Sequence, residues 1–248
     1  MRRLLPLLVA GCGSGVIDNP FTNADDEVVP DGFTLAGEVV PVGGTTRAGC
    51  IDLYDPTQRA LGGQAELLAT GEVVSGGFSL GGIVTLSVAG LQWTLRDCGG
   101  EGAWYPSTTT VGSDAYADLG PGDVLAAPPS LVLYQPYAET LAADALTAGY
   151  DGALLQDGFL FGQTLDAGAT ALSGVSVTCP GCPLVLYEDD DPSDGRFTTG
   201  GVVNTATGST GVFVVPAAPE GAYTADGFAT VEAAATPGEA AVLRWVAE

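Results

Sequence analysis

The chain of 248 residues contains no histidine and no lysine, and only 7 cationic side chains, all arginine. Without histidine there is no Ser-His-Asp or Cys-His catalysis, no His-ligated zinc and no imidazole pH switch. Without lysine there is no Schiff-base chemistry, no P-loop phosphate contact and no Lys–Asn isopeptide cross-link. Against those 7 cations stand 30 carboxylates, a formal charge of −23. Such a chain repels polyanions, so nucleic acid is excluded as a partner. Downstream of residue 11 no apolar run approaches the ~20 residues that span a bilayer.

What the sequence has in quantity is turn and strand chemistry. Gly 37 and Pro 16 accompany many Ala and Val, a composition that suits strands and turns better than helices. Short apolar runs predict strands over 33–40, 48–54, 66–69, 77–80, 83–89 and 92–96. A second series is expected over 158–165, 174–179, 184–188, 202–206, 211–215, 222–225, 229–235 and 241–246. Residues 13–31, with the run Asp25-Asp26-Glu27, read as a flexible, self-repelling tether. Residues 101–156 are rich in Gly, Pro, Ser and Thr and are expected to link two domains, 32–100 and 157–248. Within that linker one helix is predicted at about 136–148, because Pro136 stands in its first turn and Gly149 just past its end. Leu141, Ala145 and Tyr137 give it a modest apolar face, suited to a strut.

The N-terminus carries an address. Arg2 and Arg3 precede an apolar run from Leu4 to Ala10, the pattern of an export signal that ends in small residues. Leu8-Val9-Ala10-Gly11-Cys12 resembles a bacterial lipoprotein lipobox. The resemblance implies cleavage before Cys12 and lipidation of its sulfur, which would make the membrane a partner through a lipid anchor. Gly13, rather than Asp, resembles the sorting pattern for the outer membrane, so the expected location is the cell envelope. Loss of Arg2 and Arg3 would leave 5 cations against 30 anions, a formal −25. Setting Cys12 aside leaves four cysteines, an even number that favours disulfides in an exported protein. The simplest pairing, half by half, is Cys50 with Cys98 and Cys179 with Cys182.

Four constellations deserve a chemical reading. Gly77-Phe78-Ser79-Leu80-Gly81 has the spacing of a nucleophile elbow, but that motif needs a strand-to-helix turn and a histidine; Ser79 reads as a strand residue. In Glu188-Asp189-Asp190-Asp191-Pro192-Ser193-Asp194-Gly195, crowded carboxylates are hard oxygen ligands of the kind Ca²⁺ takes. Asp189, Asp191 and Asp194 are the candidate ligands, supported by Glu188 or Asp190, although the spacing departs from an EF-hand loop; the competing reading is a solvated hairpin tip. Cys179-Pro180-Gly181-Cys182 follows a strand instead of opening a helix, so a structural disulfide across a turn is expected in place of redox chemistry. Trp104, Tyr105 and Tyr116 form either an aromatic platform for sugar rings or the contact that docks the linker.

In the second half, Phe159–Thr164, Leu172-Ser173-Gly174-Val175-Ser176-Val177, Thr207–Pro216 and Glu220-Gly221-Ala222-Tyr223-Thr224 resemble the transthyretin-like sandwich called the carboxypeptidase regulatory-like domain. Phe213 and Tyr223 are expected to fill its core. Residues 33–97 repeat the pattern more faintly, and the order of lipobox, sandwich, helix and sandwich is similar to some myxobacterial lipoproteins. The resemblance implies an accessory or binding module. The reading is therefore an all-β protein of two small transthyretin-like (immunoglobulin-like) β-sandwiches, tethered outside the cytoplasm, non-enzymatic, and directed at a protein or glycan ligand. The alternatives are a calcium-dependent adhesion module using residues 188–194, and a carbohydrate-binding or carboxylate-based glycosidase accessory protein, the latter needing two acids about 5–10 Å apart in a cleft.

Overall fold

The structure, a computed structural model, describes residues 32–45, 48–57, 64–85, 89–98, 102–191, 193 and 195–247. Cys12 and the tether lie outside them. The described chain is predominantly β, arranged as two main sheets.

The first half begins with β1 (Phe33–Val42), β2 (Gly49–Asp55), β3 (Glu66–Val73), β4 (Gly77–Ile83) and β5 (Leu91–Arg96). These match the expected strands; of the run expected over 83–89, Ile83 ends β4, and residues 86–88 lie outside the described residues. Ser75 and Gly76, both at positive φ, form the tight two-residue turn between β3 and β4. This backbone twist suits a hairpin, and Val74 and Gly77 close it through both of their backbone bonds. The two arms then part. β3 joins the larger sheet and β4 the smaller one.

The segment expected as a linker differs most from the reading. It contains β6 (Trp104–Tyr105), β7 (Ser107–Val111), β8 (Val124–Ala126) and β9 (Ser130–Tyr134). β6 pairs with β9 in the small sheet, whereas β7 pairs with β5 in the large one, so the chain changes sheets at Pro106. The physical reason is threonine. Its β-branched side chain favours the pleated surface, and two of the hydroxyls that make the run look like a loop, those of Ser107 and Thr108, are satisfied internally. Thr94 and Thr108 share a 2.9 Å hydrogen bond, Thr108 Oγ1 donates to Glu239, and Ser107 Oγ donates to the Tyr105 carbonyl. Between the sheets lie Leu35, Phe78 and Leu80 from one side and Ile51, Leu53, Leu91, Trp93 and Leu95 from the other. Trp93 Nε1 donates across the gap to Ser130 Oγ at 2.9 Å.

The second half contributes α1 (Gln135–Thr147), α2 (Leu154–Asp157), β10 (Phe159–Leu165), β11 (Leu186–Tyr187), the β12–β13 hairpin (Thr198–Thr199, Val202–Val203), β14 (Val212–Pro216), the β15–β16 pair (Gly221–Tyr223, Val231–Ala233) and β17 (Ala240–Val246). The large sheet runs β11-β14-β10-β17-β7-β5-β2-β3. It is therefore continuous through both halves, joined where β17 lies parallel to β7. β10 and β14 are nearly unbroken apolar runs because both of their faces are covered. Phe159, Phe161, Val212 and Val214 face α1, and Leu160, Phe213 and Val215 face the β15–β16 side together with Tyr223 and Trp245. Phe213 and Tyr223 thus fill a core, as expected.

Helix α1 is not a strut. Ala138, Leu141 and Ala145, spaced to share one face, are fully buried in a core that also holds Leu133, Phe159 and Phe161. Two of the three are alanines, so the buried face is small, which is why the segment reads as a strut in the sequence. Residues 174–179 form no ladder, only a bridge from Thr178 to Thr224. Even so, the burial alternates as in a strand, with Val177 buried and Ser176 and Thr178 exposed.

Candidate functional site

Arg196 is the hub of the most elaborate polar cluster among the described residues. Its Nη1 donates to Glu188 Oε1 at 2.5 Å, its Nε lies 3.3 Å from Asp144 Oδ2, and its guanidinium stands 5.0 Å from the centre of the Tyr137 ring. The cluster therefore ties α1 to the end of β11. Burial, followed by the nearby charge of Glu188, pushes the Tyr137 hydroxyl well above the ordinary tyrosine range, while Arg196 opposes it. Glu188 is 6% exposed, and a buried carboxylate that loses its partner is costly. Arg196→Ala is expected to destabilise the protein by about 3 kcal/mol. Replacing both partners with apolar residues, Arg196→Met with Glu188→Leu, is expected to cost less than that single change. Urea denaturation of the three proteins checks this, and equal losses would refute it.

Beyond Glu188, the acidic residues brace their own loop. Asp189 accepts from Asp191 N at 3.0 Å and from Thr199 Oγ1 at 3.0 Å. Asp190 Oδ1 accepts from Ser209 N at 2.6 Å, and Asp191 Oδ1 from Ser193 N at 3.0 Å. These serines hold the carboxyls of Asp190 and Asp191 below the usual carboxylate range. Asp189, Asp190 and Asp191 line an open groove of about 310 Å³ with Thr199, Asn204 and Gly208. Asp194, the remaining candidate ligand, lies outside the described residues. Among the described residues no three acidic or cysteine side chains gather as a metal site.

The other sequence candidates are placed as follows. Ser79 is an exposed residue in the middle of β4, between buried Phe78 and Leu80; no helix follows it. Cys50 and Cys98 form a disulfide with Cα atoms 5.3 Å apart, stapling the ends of the paired strands β2 and β5. Cys179 and Cys182 form the second, across a turn in which Gly181 takes φ +82. Trp104, Tyr105 and Tyr116 are 4%, 5% and 7% exposed. Trp104 and Tyr116 belong to the core between the sheets and Tyr105 to the one beside α1, so they offer no platform for a sugar ring. Sequence reasoning missed Arg196, although an isolated arginine two residues after an acidic run was its visible signal.

Among the described residues the polar groups form ion pairs, braced loops and disulfides. Among the described residues no helix is long and apolar enough to cross a membrane. No protein-family model matches the sequence, and no curated protein matches it. Solved structures that align with 88% of this chain include the TIE protein of Bacillus anthracis, at 12% identity and a TM-score of 0.26. The chain spans about a third of that protein, 34% of its length. The shaft pilin spaA of Lactobacillus rhamnosus GG aligns over 98% of its length, at 12% identity and a TM-score of 0.27. A streptococcal ancillary pilin aligns over 63% of its own length, at 11% identity and a TM-score of 0.25. All three alignments are too loose to bear on what this β-rich chain does.

Proposed function

We propose that this chain is a lipid-anchored β-sandwich protein of the cell envelope, acting outside the cytoplasm as a non-enzymatic structural or binding module. The observation that carries the reading is the use of cysteine. Four of the five form two disulfides, the chemistry of an oxidising compartment. The fifth, Cys12, follows Leu8-Val9-Ala10-Gly11, where a lipoprotein would be cleaved and acylated. The resemblance of the second half to carboxypeptidase regulatory-like domains points the same way, toward an accessory module. The acidic surface suits a basic or neutral partner, a protein or a glycan, better than a polyanion.

Expression of the full chain in a Gram-negative host fed an alkynyl palmitate tests the anchor. The protein is expected to take up the label and to sediment with the membranes. Cys12→Ser is expected to abolish both. Labelling that persists in the variant, or that never occurs, would remove the anchor from the proposal.

A further inference from the structure

Of the three described arginines, two have carboxylate partners: Arg96 pairs with Asp52, and Arg196 with Glu188 and Asp144. The third, Arg244 on β17, has no carboxylate within ion-pair distance among the described residues, despite 30 acidic residues in the sequence. Its Nε is buried without a hydrogen-bond partner. Thr109 on β7, 8% exposed, likewise has a buried hydroxyl with no partner. Buried polar atoms of this kind are few in a native protein and call for an unseen acceptor.

These two residues line one cavity of about 80 Å³. β17 and β7 pair only at Ala240–Ser107 and Ala241–Thr108, and beyond those residues the sheet opens. Side chains two apart on a strand share a face, so Arg244 points to the same side as Val242, into the space beneath the small sheet. Thr109 sits opposite Trp93 and points to that side as well. The remaining walls are mostly apolar: Val242, Leu243 and Leu131, with Pro128, Pro129 and the polar Thr110 at an exposed rim. The volume admits about five water-sized groups.

We propose that this notch binds a carboxylate with a short apolar stem. The guanidinium supplies the charge and a fixed pair of donors, the Thr109 hydroxyl a further donor, and Leu131 and Val242 the surface for the stem. An all-polar anion such as sulfate leaves those apolar walls without a partner. The carboxylate has two sources, a free small acid or the end of a peptide chain.

The test follows the arginine Nε–H signals of the ¹⁵N-labelled full chain during titration with sodium propionate at constant ionic strength. The Arg244 signal, assigned by its loss in Arg244→Gln, is expected to shift and saturate at millimolar propionate while the other arginines stay still. Chloride and sulfate are expected to leave it in place. Thr109→Val keeps the side-chain shape and is expected to weaken binding about tenfold, with an unchanged β signal by circular dichroism. A short peptide with a free C-terminal carboxylate that binds tenfold tighter than propionate, and not as its amide, assigns the source to a chain end; equal affinity assigns it to a free acid. Absence of saturation, the same response to chloride, or an unaltered affinity in Thr109→Val would overturn the proposal and leave water as the occupant.

Discussion

Between pH 10 and pH 12 the protein is expected to lose its fold, because it hides tyrosines that the unfolded chain ionises readily. Tyr105 is 5% exposed, stacks on Phe159 and donates to the Leu155 carbonyl at 2.7 Å. Burial first, and then the charge of Glu239, pushes its hydroxyl up to about 12. Tyr223, 1% exposed and bonded to the Pro219 carbonyl at 2.8 Å, is pushed to about 12 by burial. An unfolded tyrosine titrates near 10. The folded state therefore holds these protons more tightly, so their contribution is intact below pH 10 and falls as pH rises toward the folded value. Each tyrosine removes about 1.4 kcal/mol per pH unit in that window. Together Tyr105 and Tyr223 amount to about 5 kcal/mol over two units, a large share of the 5–15 kcal/mol typical of a folded domain. Tyr137 adds to the trend. Tyrosinate absorbance is expected to rise in step with the loss of β circular dichroism, and Tyr105→Phe should move the midpoint upward. Tyrosines that all titrate near pH 10 within an intact fold would refute this.

The second large effect concerns the disulfide from Cys50 to Cys98. It closes a loop with a sequence separation of 48 residues. On the chain-entropy account, such a closure stabilises by about 4 kcal/mol, by restricting the unfolded chain. The paired Cys50→Ala and Cys98→Ala variant is expected to lose that amount in urea denaturation, and about 10 °C in Tm. The Cys179–Cys182 bridge spans a separation of 3, so its removal should cost about 2 kcal/mol at most. Equal losses for the two bridges, or a larger loss for the second, would show that loop closure is not what they contribute.

Several of these features were visible in the residues themselves. The helix was legible because Pro136 and Gly149 bracket it, and the structure places it at Gln135–Thr147 with Gly149 at φ +98. β2 and β5 were legible from their short apolar runs, and the cysteine pairs from their distribution along the chain. Three things were not. β7 was hidden because Ser107-Thr108-Thr109-Thr110 reads as polar loop until Ser107 and Thr108 are seen to find partners inside. The Arg196 clamp was hidden because Tyr137 and Asp144, both on α1, are distant from Arg196 in sequence. The roles of Trp104, Tyr105 and Tyr116 were left open because an aromatic run in a Pro-rich segment looks the same whether it faces solvent or core; only pairing with β9 and Phe159 decides it.

The parallel contact of β17 with β7 also bears on how the chain acquires its shape. Thr108 finds its partner Glu239 at a separation of 131 residues, and β17 lies between β10 and β7 in the large sheet. Closing so long a loop before any contact rewards it makes the step slow. A chain emerging in order from its N-terminus would carry β7 with one edge bare until β17 arrived. Such a nascent chain keeps its large sheet unfinished for most of its synthesis. The same arrangement exposes that bare edge to unwanted pairing in the interval. A strand of threonines and serine, well hydrated until it docks, is suited to waiting there.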